Sequence, residues 1–192
     1  LASLQGLFDK YPREFAAVIM EPMSGDEPAP GFLQGVKDLT HKNGAVLIFD
    51  EIITGFRFAL GGAQELFGVT PDLAAVGKSM ANGFPISAVV GKRELMKEME
   101  EVFFSFTFGG EAISLAAALA TIGKMRREPV IETLWKEGKR VMDGVSEVIS
   151  RHGLGSVFSV AGKPPWSLLM TGDHARASSW EIKSLFKQEM LL

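Results

Sequence analysis

The sequence predicts an α/β fold, a mainly parallel sheet flanked by helices, followed by the start of a smaller α+β domain. Three observations carry that expectation. Ala16 to Met20 and Ala45 to Phe49 are short, continuous apolar runs without polar alternation, the habit of strands covered on both faces in parallel sheets. Between them, Pro30-Gly31 opens a segment with Phe32, Val36 and Leu39 on helical spacing, and Asn43-Gly44 closes it. Further apolar runs, Leu73 to Val76 and Ile86 to Val90, continue the pattern with Gly- and Pro-bearing connections.

Beyond Phe108-Gly109-Gly110, Ala112 to Met125 reads as a small-residue, closely packing helix and Val130 to Ile149 as a long amphipathic one. After His152-Gly153, Val157 to Val160 and Trp166 to Met170 read as strands flanking Gly162-Lys163-Pro164-Pro165, with a helix from about Ser178. The expected division is residues 1–127 for the larger domain, and 128–192 for a connecting helix with part of a smaller one.

Composition narrows the function classes. Of 192 residues, 46% are hydrophobic and 22% charged, ordinary for a globular chain with one sizeable core. Twenty basic against twenty-three acidic side chains leave a net charge of -3 without a basic run, so a nucleic-acid partner is not expected. The absence of cysteine excludes disulfides and thiolate chemistry and suits a cytoplasmic location. The apolar stretch from Ala112 is far shorter than the roughly 20 residues of a membrane span, so no membrane partner is expected. His41, His152 and His174 lack ligand spacing, so no metal is expected either.

Three strands end in ionisable residues: Glu21, Asp50 and Lys78. In open parallel sheets ligands sit outside the carboxyl ends of the strands, so these three are expected on one side. Singly, each is most often a solvated loop residue; together they point to a site. Gly77-Lys78-Ser79 is not the end of a phosphate-binding P-loop, because Asp72 stands where that motif needs glycine.

Phe49-Asp50-Glu51-Ile52-Ile53-Thr54-Gly55-Phe56-Arg57, then Thr70-Pro71-Asp72-Leu73 and Gly77-Lys78, resemble the signature of class III aminotransferases. Glu21-Pro22 and Phe106-Thr107-Phe108-Gly109-Gly110 fit as well, and Gly61-Gly62-Ala63-Gln64 is most similar to the glutamate-1-semialdehyde aminomutase branch. The resemblance implies the type I fold of transferases that use pyridoxal 5'-phosphate (PLP). It implies that Lys78 forms a Schiff base with PLP and shuttles the substrate proton, and that Asp50 faces the pyridine nitrogen. Ile52 is then expected against the ring face and Glu21 lining the site. Thr107 is expected to reach the phosphate across a homodimer interface, its hydroxyl beside the glycines. Arg57 is expected to hold a loop acid rather than a substrate carboxylate. The implied reaction is amino-group transfer, by a transaminase or an aminomutase, with a small-molecule amino donor and acceptor. The family's members are longer than this chain, and a truncated, catalytically inactive fragment that keeps the fold is the alternative.

Overall fold

The computed structural model describes residues 1–103 and 105–191. The chain divides into two compact units, Leu1–Ile131 and Glu132–Leu192. The first holds helix α1 (Ala2–Lys10), strand β1 (Ala17–Met20), helix α2 (Phe32–Lys42), strand β2 (Val46–Glu51) and the single-turn helix α3 (Ala63–Leu66). It continues with β3 (Leu73–Val76), a 3₁₀ turn at Lys78–Met80, β4 (Ala88–Gly91), the short α4 (Arg93–Met96) and α5 (Ala112–Arg127).

The four strands pair in sequence order, β1 and β2 parallel, β2 and β3 parallel, β3 and β4 antiparallel. The helix between β1 and β2 stops where the sequence predicts. Asn43 donates its side-chain amide to the Leu39 carbonyl at 2.9 Å, and Gly44 turns the chain at φ +74, a conformation open to glycine without steric cost. Leu47 and Phe49 of β2 point into a core made with Leu33 and Val36 of α2 and with Val69, and Leu4 of α1 packs against it.

One expectation is corrected here. The sheet is not covered equally on both faces: Ile19 of β1 is 66% exposed and its register partner Ile48 is half-buried, whereas Val18 and Met20, themselves half-buried, pack against the core on the other face. The reason is that α1 and α2 both contribute to the core on the Leu47–Phe49 side. Helix α5 runs as predicted but buries only a strip, Ser114 and Ala118 being buried while Leu115 and Leu119 are exposed.

Helix α6 (Val130–Arg151) leads into the second unit, which adds β5 (Phe158–Lys163), β6 (Trp166–Thr171) and α7 (Ser179–Glu189). Strand β5 extends past Val160, where the sequence reading ends it. Gly162, at φ +87, keeps it paired through Lys163↔Trp166, because any side chain there would strike the Trp166 carbonyl. Helix α7 opens on a capping box between Ser178 and Glu181. No helix among the described residues is long and apolar enough to cross a membrane.

Candidate active site

Strand alternation separates the two consecutive acids that end β2. Phe49 and Glu51 share a face with Ala74 and Val76, whereas Asp50 shares the opposite face with its register partner Ala75. Asp50 is half-buried and its Oδ1 accepts the backbone N–H of Ile52 at 3.1 Å, which orients the carboxylate at the strand end.

Strand β3 ends at Val76, and Gly77 leads directly into Lys78, which begins the 3₁₀ turn closed by the Met80 N–H on the Gly77 carbonyl at 2.6 Å. Lys78 therefore stands three residues beyond the register partner of Asp50, at the same carboxyl edge of the neighbouring strand, with its side chain exposed. Glu21 follows Met20, the partner of Phe49, so it belongs to that edge too, and it is exposed. The structure thus gathers Glu21, Asp50 and Lys78 at one end of the sheet.

Ile52 links the loop after β2 to the lysine. A Cβ on Gly77 would lie 3.0 Å from Ile52 Cδ1, so the isoleucine packs against the main chain just before Lys78, and a side chain at Gly77 would press on it. Thr107 is elsewhere. It is exposed in the turn before α5, where the Gly109 N–H reaches the Phe106 carbonyl at 3.0 Å, and the strand register that unites the other three does not extend to it. Arg57 donates Nε to the Ile53 carbonyl at 2.9 Å, within its own loop.

Two further acids, outside the sequence-based expectations, tie neighbouring segments together. Glu51 is fully buried and accepts three hydrogen bonds, from Thr54 Oγ1 at 2.7 Å, the Ala63 N–H at 2.6 Å and the Gln64 N–H at 2.9 Å. The available signal was the alternation itself: of two successive acids at the end of a buried strand, one must face the core and needs donors there.

Asp72 is the other, at the opposite end of the sheet. Its Oδ2 accepts the Leu47 N–H at 2.7 Å and bonds His41 Nε2 at 2.8 Å, while Oδ1 pairs with Lys92 Nζ at 2.6 Å. Burial pushes this carboxyl upward, but the bonds from Lys92, Leu47 and His41 outweigh it and bring the pKa down to about 2. A shifted carboxylate can mark a reactive site. Here every partner is a structural neighbour, and Asp72 ties α2, β2 and β4 to the start of β3.

A cavity on the Glu51 face, about 550 Å³, is lined by Phe56, Leu60, Val76, Met80, Val90 and Ile122, among others. Through Val76 and Val90 it lies on the face opposite Asp50, so it is not the space into which Asp50 faces. Among the described residues no group of acids and histidines could hold a metal ion.

Comparison with known proteins places the chain in a family. The family profile for "Aminotransferase class-III" matches residues 1–163. Glutamate-1-semialdehyde 2,1-aminomutase 2 of Brevibacillus brevis is 38% identical over 169 residues, 84% of this chain and 39% of that protein. The glutamate-1-semialdehyde 2,1-aminomutase of Syntrophobacter fumaroxidans is 39% identical over 161 residues, 80% of this chain and 37% of that one. Among solved structures, the PLP internal aldimine form of FumI from Sphingopyxis sp. MTA144 has a TM-score of 0.82 at 28% identity, over 90% of this chain and 42% of that chain. An omega-transaminase from Sphaerobacter thermophilus has a TM-score of 0.74 at 33% identity, over 91% of this chain and 41% of that chain. This chain spans 39% and 37% of the length of the two curated relatives. The sheet, the strand-end residues and the profile match over residues 1–163 lead to one conclusion: the chain belongs to the class III aminotransferases.

Proposed function

We propose that the chain is part of a PLP-dependent enzyme that moves an amino group on an amino acid or amino-carbonyl compound. The observation that carries this reading is the placement of Asp50 and Lys78 at the carboxyl ends of adjacent strands, with Ile52 seated on the glycine between β3 and the lysine. The residues fit the group. PLP needs a carboxylate for its ring nitrogen, an amine for its aldehyde and an apolar surface for its flat ring, and Asp50, Lys78 and Ile52 supply one each.

When bound, PLP supplies an electron sink for the carbon that bears the amino group. Asp50, oriented by the Ile52 amide, would stabilise a protonated ring nitrogen beside it. Lys78 would hold the cofactor at its aldehyde through the ε-amine, and the same amine would carry a proton between the substrate carbon and the cofactor, as base and then as acid. Ile52 keeps water from one side. Glu21 lines the mouth. Thr107, a hydroxyl in a glycine-bearing turn, is assigned to the phosphate of a second subunit's cofactor, which makes the working enzyme a homodimer. Residues 1–127 are assigned to the cofactor-binding domain and 128–192 to the connecting helix and smaller domain.

The names of the curated relatives favour an aminomutase over a transaminase. An aminomutase returns the amino group to the same molecule, so turnover without an added keto acid supports it and an absolute requirement for one overturns it. The competing reading is a chain that keeps the fold without turnover. The founding test is reductive trapping: incubation with PLP, borohydride reduction and mass-spectrometric location of the pyridoxyl group. The label is expected on Lys78 and absent in Lys78→Ala, and equal labelling of that variant removes Lys78 from the role.

A further inference from the structure

We propose that Glu51 is a positioning residue that sets Lys78 through the loop between them, an inference that rests on the assignment of Lys78 above. The loop leaving β2 at Ile52 returns to α3 at Ala63, and both ends are tied to one carboxylate. Thr54 Oγ1 reaches Glu51 Oε2 at 2.7 Å from the start of the loop, while the Ala63 and Gln64 amides reach Oε2 and Oε1 at 2.6 and 2.9 Å from its end. The Gly55 N–H adds a bond to the Glu51 carbonyl at 2.8 Å.

The packing leaves no slack around this clamp. A Cβ on Gly62, whose φ is +79, would collide with Glu51 Oε2, and one on Gly55 would lie 3.1 Å from Val76 Cγ1. Ile52 sits between Glu51 and Thr54, so the clamp fixes its main chain, and its Cδ1 rests on Gly77, the residue before Lys78. A fully buried carboxylate satisfied by three short donors holds those donors in place, since losing one acceptor strands a donor in the core. Asp50 and Glu51 thus divide the strand end: one faces the reacting group, and the other fixes the loop that supports the lysine.

The decisive variants are Glu51→Gln and the milder Thr54→Val, made in the full chain. Glutamine offers one acceptor oxygen to three donors, so the clamp opens while the side-chain volume is kept. Without cofactor, the Ala63 and Gln64 amides should exchange faster in Glu51→Gln. The NMR signals of the Ile52 methyl and the Lys78 amide should shift in both variants. With PLP, trapping of Lys78 per folded molecule should slow about tenfold or more in Glu51→Gln, the scale expected when a reacting group is displaced by a fraction of an ångström to an ångström. A merely structural Glu51 would lower the melting temperature but leave the Ile52 and Lys78 signals and the trapping rate at parental values, and that result overturns the proposal. If Glu51→Gln does not fold, Thr54→Val decides on the same readouts. If the parent chain gives no Lys78 adduct while the two signals still move in the variants, the cofactor assignment falls and the mechanical link from Glu51 to Lys78 stands.

Discussion

Replacing Asp72 with asparagine tests the reading of this acid as the pin at the amino end of the sheet. The carboxylate is 4% exposed, and its two oxygens serve Leu47, His41 and Lys92. Lowering its pKa from 3.8 to about 2 corresponds to roughly 2 kcal/mol at neutral pH. Lys92 is 55% exposed and His41 36%, so solvent screens part of this and about 1–2 kcal/mol is the expected contribution. The introduced asparagine would also turn an amide toward one of the donors, so the total loss at pH 7 should be about 2–3 kcal/mol, or a melting temperature lower by about 6–9 °C for a unit of this size. The sign follows from the folded pKa lying below the unfolded one. The stabilisation is fully present above about pH 4 and is lost as pH falls toward 2, so the gap between parent and variant should shrink by about 1 kcal/mol at pH 3. Urea unfolding followed by circular dichroism at pH 7, 4 and 3 measures it. A variant within about 0.5 kcal/mol of the parent at pH 7, or a gap that does not narrow on acidification, refutes the assignment.

Phe49→Ala empties the centre of the core under β2, where Phe49 is completely buried against Leu33, Val36 and Val69. A loss of about 3–5 kcal/mol is expected, read as a collapse of the unfolding midpoint, and a loss under about 1 kcal/mol would mean the core repacks. Ser178→Ala removes the hydroxyl that accepts the Glu181 N–H and opens the capping box of α7. A cost of about 1 kcal/mol is expected, with faster amide exchange in the first turn of α7 and none in the β1–β4 sheet; exchange changes in that sheet would show that the two units unfold together.

What the sequence by itself determined is whatever a local pattern can encode. Continuous apolar runs announced β1 and β2, Asn43-Gly44 the end of α2, and residues after strand ends the carboxyl edge where Asp50 and Lys78 stand. Motif spacing added the family, because a strand, a loop and a strand of set lengths bring an acid and a lysine to one edge. Only the tertiary structure decided which partners distant residues meet. Glu51 finds its amides 12 and 13 positions away, and Asp72 finds Leu47 and His41 at separations of 25 and 31. For Glu51 strand alternation says only that one of two successive acids faces the core, and for Asp72 nothing in the surrounding sequence distinguishes a buried, fully bonded carboxylate from a solvated one, since desolvation and hydrogen bonding act through space. The exposed face at Ile19 was hidden for the same reason: an apolar residue in a strand reports a preference for burial, and whether a helix lies over it is settled by the chain's path.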